Sequence, residues 1–256
     1  MKLTILGCSG SLGAPGNPGS SYLVSAENAP GVVMDLGPGA LAKLMEEENP
    51  SNVHVVFSHL HADHCSDFVS LMVWRRYHPE HPSQGRNLMF GPAHTLDLFG
   101  RMGADGPDDF DDISDSFAFA PWVDHQKEIL GDLTITPFPA LHPAAGSRIL
   151  RVEEPATGAV LTYSGDTAFT PALIDAARNA DVLLCEAAWG SSSEGRPEGM
   201  HLSGAEAGEI ATQAGVKTLV LTHIQPWVSK KETAAAAAAA FKGEIIVAEP
   251  GMELHV

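Results

Sequence analysis

Short apolar runs rich in β-branched residues recur along the chain and predict strands. These runs cover residues 3–6, 22–24, 32–34, 53–57, 133–136, 159–163, 182–184, 219–221 and 245–247. Between several of them lie stretches of helix-forming residues whose apolar positions are three and four apart. These stretches predict helices over residues 40–48, 67–77, 171–180, 203–214 and 229–241. Strands that alternate with helices in this way predict an α/β layered fold.

One predicted helix carries signals for both of its ends. Ser203 is a plausible N-cap because Glu206 follows three residues later, and Gly215 is a plausible stop. No Gly/Ser-rich linker and no short-period repeat divides the chain. We therefore expect residues 1–256 to form a single domain.

The charge balance bears on the class of partner. The chain has 256 residues, of which 44% are hydrophobic, and 15 Lys plus Arg stand against 32 Asp plus Glu, for a net charge of −17. Proteins that bind long nucleic acids neutralise phosphates with basic surface. A long nucleic acid is therefore not expected as a partner, although a small anion can still enter a pocket charged by metal ions.

The ends and the cysteines bear on location. The N-terminal sequence MKLTILGCSG has one basic residue and a short apolar run, so we interpret it as a first strand rather than a signal peptide. No stretch is long and apolar enough to span a bilayer. The three cysteines are far apart and form no CxxC pair, as is typical of a reducing compartment. We expect a cytoplasmic protein without membrane contact.

Four candidate metal ligands follow the predicted strand at 53–57. The segment SHLHADH contains His59, His61, Asp63 and His64 within six residues. Imidazole suits zinc and other first-row metals, and a carboxylate adds a hard oxygen ligand. A solvated polar loop is the alternative, but such a density of ligands is rare by chance.

Three further candidates also come directly after strand-like runs: His142, Asp166 and His223. A single histidine after a strand is more often a satisfied or exposed residue than a ligand. Their shared position after strands favours a common site, because active sites of α/β proteins gather at the carboxyl ends of strands. An aspartate between two metal ions can bridge them with its two oxygens.

These residues resemble the HxHxDH signature and the later motifs of the metallo-β-lactamase superfamily. The resemblance implies a four-layer αββα sandwich with the site at one edge. It implies that His59, His61 and His142 hold one ion, that Asp63, His64 and His223 hold the other, and that Asp166 bridges. Two divalent metal ions are expected as cofactors, with zinc as the default and manganese or iron as possibilities.

A finer resemblance concerns CEAAW at 185–189, HLSGAEAG at 201–208 and LTHIQPW at 221–227. These runs look like the ribonuclease Z branch, in which a histidine paired with a glutamate contacts the scissile phosphate. The resemblance assigns those roles to His201 and Glu186. The alternatives are a histidine without chemistry and a structural ion pair. The branch's tRNA-gripping arm has no room here, because only residues 143–165 separate His142 from Asp166.

Two more runs, LGCSGS at 6–11 and VWRRYHP at 73–79, are similar to actinobacterial members of the superfamily that hydrolyse 3′,5′-cyclic AMP. This resemblance implies a phosphodiesterase that releases 5′-AMP by attack of a metal-bridged hydroxide. His201 would donate to a phosphoryl oxygen, and Asp63 would carry a proton to the leaving oxygen. A small phosphodiester or nucleotide is the expected partner, and a homodimer is possible.

Other residues have two interpretations. Arg75 and Arg76 are candidates for substrate binding, and salt bridging on a helix surface is equally plausible. The tryptophans Trp74, Trp189 and Trp227 can stack a base, but packing is the preferred interpretation for each. Asp35 can support a metal-bound histidine. The acidic segment 103–116 is interpreted as a solvated loop rather than a metal site.

Three alternatives to the phosphodiesterase hypothesis remain. An RNA-processing nuclease of the ribonuclease Z type requires a basic surface or an arm. A thioester, lactone or β-lactam hydrolase has no strong need for the pair of His201 and Glu186. A non-enzymatic metal-binding protein is disfavoured because every expected ligand is present.

Overall fold

The apolar runs assemble into two sheets. In the computed structural model, which describes residues 1–27 and 29–256, each sheet has seven strands. The first sheet contains β1 (Lys2–Gly7), β2 (Ser21–Ser25), β3 (Val32–Met34), β4 (His54–Val56), β5 (Asn87–Gly91), β6 (Phe117–Pro121) and β14 (Glu253–His255). The second contains β7 (Glu128–Leu130), β8 (Leu133–Pro139), β9 (Arg148–Glu154), β10 (Ala159–Tyr163), β11 (Val182–Glu186), β12 (Thr218–Thr222) and β13 (Glu244–Val247).

Helices pack on the outer faces of both sheets. Over the described residues they are α1 (Ala40–Glu47), α2 (Ala62–Cys65), α3 (Phe68–Tyr77), α4 (Thr95–Met102), α5 (Pro171–Ala176), α6 (Gly204–Ala214) and α7 (Lys230–Ala240). The first four share a core cluster with the first sheet, and the last three share one with the second. A third cluster joins the inner faces of both sheets. The expected four-layer αββα sandwich is confirmed.

Each sheet combines antiparallel and parallel pairing. The first has the order β14-β1-β2-β3-β4-β5-β6 and is parallel from β3 to β6. The second has the order β13-β12-β11-β10-β9-β8-β7 and is parallel from β10 to β13. Carboxyl ends of parallel strands meet at one edge of a sheet. The loops after β4, β10, β11 and β12 carry most of the candidate site residues.

The central strands are buried on both faces. In β11, Leu184 points into the cluster between the sheets, whereas Leu183 and Cys185 point toward the helices. This explains the uninterrupted apolar run that predicted the strand. Strand β9 was not predicted, because its sequence RILRVEE alternates apolar residues with Arg and Glu that reach the surface.

The predicted boundaries of α6 are confirmed. The Ser203 side chain accepts a hydrogen bond from the Glu206 backbone N–H. The Glu206 side chain accepts one from the Ser203 backbone N–H, which completes a capping box. Gly215 follows the helix in the left-handed conformation, with φ of 69°. None of the helices in the described part of the chain is long and apolar enough to cross a membrane.

Candidate metal centre

The loop after β4 enters α2 with its ligand side chains turned toward the edge where the two sheets meet. His59 and His64 are buried, whereas His61 is exposed. The turn after β3 packs against the backbone of this loop. A Cβ at Gly37 would lie 2.1 Å from the carbonyl oxygen of Asp63, so the close approach requires glycine there.

One group of donor atoms gathers around the exposed histidine of this loop. His61 Nδ1 lies 3.2 Å from His59 Nε2 and 3.1 Å from His142 Nε2. The Oδ2 atom of Asp166 lies 3.7 Å from His59 Nε2 and 3.9 Å from His142 Nε2. A tetrahedral zinc ion at about 2.1 Å from each nitrogen sets its donors roughly 3.4 Å apart. These four residues therefore have the spacing of a zinc site.

A second group lies on the other side of the same aspartate. His64 Nε2 is 3.2 Å from His223 Nε2, and His223 Nε2 is 3.0 Å from Asp63 Oδ2. The Oδ1 atom of Asp166 is 3.2 Å from His64 Nε2 and 3.5 Å from His223 Nε2. The two oxygens of Asp166 thus face different groups, as a bridging carboxylate requires.

The donor chemistry fits bound cations. Asp166 Oδ1 is buried and has no hydrogen-bond partner among the described residues, which is costly for a charged oxygen. His142 Nδ1 donates to the Met200 carbonyl at 2.7 Å, so its Nε2 presents a lone pair when the ring is neutral. That lone pair faces the nitrogen of His61, and a cation between them satisfies both.

The electrostatics favour neutral imidazoles beside ionised carboxylates in the first group. Burial and the neighbouring His64 hold the pKa of His59 well below its usual range. Burial also lowers the pKa of His142. Burial opposes ionisation of Asp166, but the facing His223 and His64 hold the pKa of its carboxyl well below its usual range. Neutral nitrogens and carboxylate oxygens are the forms that bind divalent metals.

Asp35 supports the second group from the interior. Its Oδ2 accepts from the Tyr163 hydroxyl at 2.7 Å, from Ser58 Oγ at 2.7 Å and from His64 Nδ1 at 2.8 Å. Its Oδ1 accepts from the Ser58 backbone N–H at 2.7 Å. Asp35 is fully buried and has a φ of 60°. This carboxylate fixes the proton of His64 on Nδ1 and leaves Nε2 free to bind a metal.

Glu186 and His201 form a pair beside both groups. His201 Nδ1 donates to Glu186 Oε1 at 2.9 Å and lies 3.8 Å from Asp166 Oδ2. Glu186 is fully buried and also accepts from the backbone N–H groups of Thr167, Ala188 and Leu202. Burial opposes the charged form of His201, but the Glu186 carboxylate raises its pKa to about 9.

Comparison with known proteins gives the family of this chain. A family model described as the beta-lactamase superfamily domain matches residues 32–224. The chain belongs to the beta-lactamase superfamily. The matched range contains all seven candidate ligands.

Similar proteins and solved structures match almost the whole chain. An uncharacterized protein of Mycobacterium tuberculosis is 46% identical over 245 residues, which is 96% of this chain and 88% of that protein. The crystal structure of YhfI from Bacillus subtilis has a TM-score of 0.86 at 23% identity and covers 99% of this chain and 98% of that one. The short form of human tRNase Z has a TM-score of 0.78 at 18% identity, covering 100% and 99%.

The structure brings nine of the predicted site residues together, and their assignment to particular metal ions stays a prediction. They are His59, His61, Asp63, His64, His142, Asp166, Glu186, His201 and His223. Tyr163 and Ser58 complete the site but were missed. Tyr163 gives no local signal, because its role depends on the inner faces of the two sheets meeting.

The contacts of Arg75 and Arg76 favour a structural role over substrate binding, the two interpretations that the sequence left open. Arg75 is 1% exposed, and its guanidinium donates to an interior group of acceptors: Pro50 O, Ser51 O, Ser83 Oγ, Gly85 O, Asn87 Oδ1 and Ser116 O. Arg76 pairs with Asp111 at 2.8 Å and with Asp115 at 2.8 Å. The acidic segment thus anchors Arg76, as the salt-bridging interpretation predicted, whereas Arg75 makes no salt bridge among the described residues.

The three tryptophans occupy different environments. Trp74 is half-buried in α3, and its ring lies 4.1 Å from that of His78 between centroids. Trp189 lies edge-on to the ring of His201 at a centroid distance of 4.9 Å, where it supports the pair with Glu186. Trp227 is 66% exposed, which contradicts the packing interpretation for that residue.

Proposed function

We propose that this protein is a metal-dependent phosphodiesterase that hydrolyses 3′,5′-cyclic AMP to 5′-AMP. The observation that carries the proposal is the buried carboxylate of Glu186, which holds His201 at 2.9 Å beside the two groups of donor atoms. A hydrolase of carbonyl substrates has no strong need for such a charged donor. A phosphodiester carries a negative phosphoryl oxygen that a protonated imidazole binds well.

The residues present can hold two divalent cations, with zinc as the default. His59, His61 and His142 would hold one, the group of Asp63, His64 and His223 would hold the other, and Asp166 would contact both. Such ions supply Lewis-acid activation of water and of the phosphoryl group. The name of the Bacillus subtilis relative, a probable metallo-hydrolase that is 26% identical over 98% of this chain, supports a hydrolytic role.

His201 is the group we assign to the phosphoryl oxygen. In the protonated ring Nδ1 donates to Glu186, and the opposite nitrogen Nε2 can donate to a ligand. Glu186 keeps the ring oriented through its own bonds to Thr167 and Leu202, so little reorganisation is needed as charge develops on the substrate. Removing one such donor typically lowers kcat by about 10²–10³.

Asp63 is the carboxylate that we assign to proton transfer toward the leaving oxygen. Its side chain is 11% exposed, whereas that of Asp166 is 2% exposed. Burial opposes its ionisation, but the hydrogen bond from His223 lowers its pKa. An ionised carboxylate that reaches the opening of the site is placed to accept a proton there and pass it on.

A ribonuclease Z-like nuclease is the second candidate, because a Methanosarcina acetivorans protein named ribonuclease Z is 26% identical over this whole chain. Two observations favour the smaller substrate. The segment between His142 and Asp166 forms β9 and β10 of the second sheet, which leaves no residues there for a tRNA-gripping arm. The net charge of −17 opposes approach of a long polyanion.

A substrate panel tests the proposal. Protein with quantified zinc is assayed on cyclic AMP, cyclic GMP, bis(p-nitrophenyl) phosphate, a precursor tRNA and nitrocefin. We expect release of 5′-AMP, loss of turnover with a chelator and recovery with zinc. His201→Gln is expected to lower kcat by about 10²-fold or more without loss of zinc. Trimming of the tRNA alone would establish the second candidate, and turnover of nitrocefin alone would exclude both.

A further inference from the structure

Trp227 presents a large apolar surface to solvent close to the candidate metal centre. It follows His223 by four residues, in the turn after β12, and is 66% exposed. Leaving an indole in water forgoes the stabilisation that burying an aromatic side chain provides. A single exposed apolar residue needs no explanation by itself, but this one is also held in place.

Hydrogen bonds connect Trp227 to the site. Its indole N–H donates to Gln225 Oε1 at 3.1 Å, and Gln225 Nε2 donates to Ser11 Oγ at 3.0 Å. The backbone nitrogen of Ser11 lies 3.3 Å from His223 Nε2. We call Ser11, Gln225 and Trp227 the aromatic rim. Its indole is therefore oriented rather than freely rotating.

The backbone beneath the aromatic rim is closely fitted. Ser9 and Ile224 form an isolated bridge, and the Gly10 N–H donates to the Ile224 carbonyl at 3.2 Å. Ser11 and His223 both have positive φ, 66° and 53°, which is uncommon for residues with a Cβ. Strained backbone tends to occur where a site requires a particular placement. The rim is thus built into the same two loops that position a candidate metal ligand.

The chemistry of the rim selects a flat heterocycle. The exposed indole offers a face for stacking. The Ser11 hydroxyl accepts a hydrogen bond from Gln225, and its own proton has no acceptor among the described residues. The Gln225 amide donates one hydrogen to Ser11 and has a second one available. Gln225 contacts the indole nitrogen directly, and Ser11 contacts Gln225. A purine combines a flat apolar face with ring nitrogens that accept hydrogen bonds.

We propose that the aromatic rim is the nucleobase subsite of this enzyme, with Trp227 stacking on the base while Ser11 and Gln225 donate to its edge. This inference rests on the proposed phosphodiesterase function and extends it to the selection of a nucleotide over other phosphodiesters. Specificity then depends on the rim, and the metal centre acts only on the phosphoryl group.

The test compares two ligands that differ only by the base. Binding of 5′-AMP and of ribose 5-phosphate to the zinc-loaded protein is measured by isothermal titration calorimetry. One base stacked on an aromatic ring changes affinity by about tenfold or more, so the wild type should prefer 5′-AMP by that factor. Trp227→Ala should remove the preference by weakening 5′-AMP alone, and Trp227→Phe should keep most of it.

Matched controls separate this role from a structural one. Tyr77→Ala removes another aromatic side chain, 72% exposed in α3, and should change neither affinity. Zinc content is measured for every variant and should not change. Equal weakening of both ligands by Trp227→Ala, or no effect on either, would overturn the proposal.

Hydrolysis of bis(p-nitrophenyl) phosphate distinguishes the two proposals. If the wild type hydrolyses it but shows no preference for 5′-AMP, the nucleobase subsite is wrong and the phosphodiesterase proposal stands. If no phosphodiester is hydrolysed, the proposed function fails, while a preference for 5′-AMP that depends on Trp227 would still support the subsite.

Discussion

Replacing Asp35 by asparagine should selectively weaken the second metal site. The carboxylate of Asp35 accepts four hydrogen bonds, from the Ser58 backbone and hydroxyl, the Tyr163 hydroxyl and His64 Nδ1, all between 2.7 and 2.8 Å. An amide has only one accepting oxygen. Its NH₂ group must therefore face at least one of these donors, and each orientation has a distinct cost.

With the NH₂ group at the Oδ1 position, the Ser58 backbone N–H loses its acceptor in the protein interior. An unsatisfied buried donor costs about 1–3 kcal/mol of stability. With the NH₂ group at the Oδ2 position, His64 must accept at Nδ1 and carry its proton on Nε2. That tautomer has no lone pair for a metal. Losing such a supporting carboxylate typically lowers metal affinity by about 10–100-fold.

Zinc competition against a chromogenic chelator measures the affinity of the protein for the first and for the second zinc ion. We expect Asp35→Asn to retain one tightly bound zinc ion per chain and to bind the second about 10–100-fold more weakly. Asp97→Asn, which changes an exposed carboxylate in α4, should match the wild type. Two ions bound by Asp35→Asn with wild-type affinities would refute the argument that this carboxylate sets the tautomer of His64.

Three further substitutions test other parts of the structure. Glu186→Gln should lower kcat by about 10²-fold, as loss of an oriented donor does, while zinc content stays constant; an unchanged kcat would contradict the role of this pair. Gly10→Ala places a Cβ 2.2 Å from the His223 carbonyl oxygen, so elemental analysis should show loss of zinc from the second site; full occupancy would argue against the close fit. Arg75→Met should destabilise the fold by about 3 kcal/mol or more in denaturant titrations, because it leaves buried carbonyl groups without donors. The kcat of the folded Arg75→Met protein should equal that of the wild type. A lower kcat would support a role of Arg75 in substrate binding.

Local pattern was sufficient for much of the fold. Buried parallel strands such as β11 and β12 are uninterrupted apolar runs, and the capping box of Ser203 and Glu206 lies within four residues. Strands such as β9 escaped prediction because their outward residues are charged and hide the apolar ones. Arg75 was also difficult to interpret. A charged residue near the end of a predicted helix is typically exposed, whereas the Arg75 side chain lies in the interior.

The sequence by itself determined the identity of the candidate ligands, because histidine and aspartate directly after strands form a signal of residue type and position. Only the tertiary structure decided how they are used. Asp166 turns one oxygen toward each group, Asp35 selects a nitrogen of His64, and Gln225 meets Ser11 across 214 positions. These contacts join segments that are distant in the chain. They arise from the packing of two sheets, which no local pattern of residues encodes.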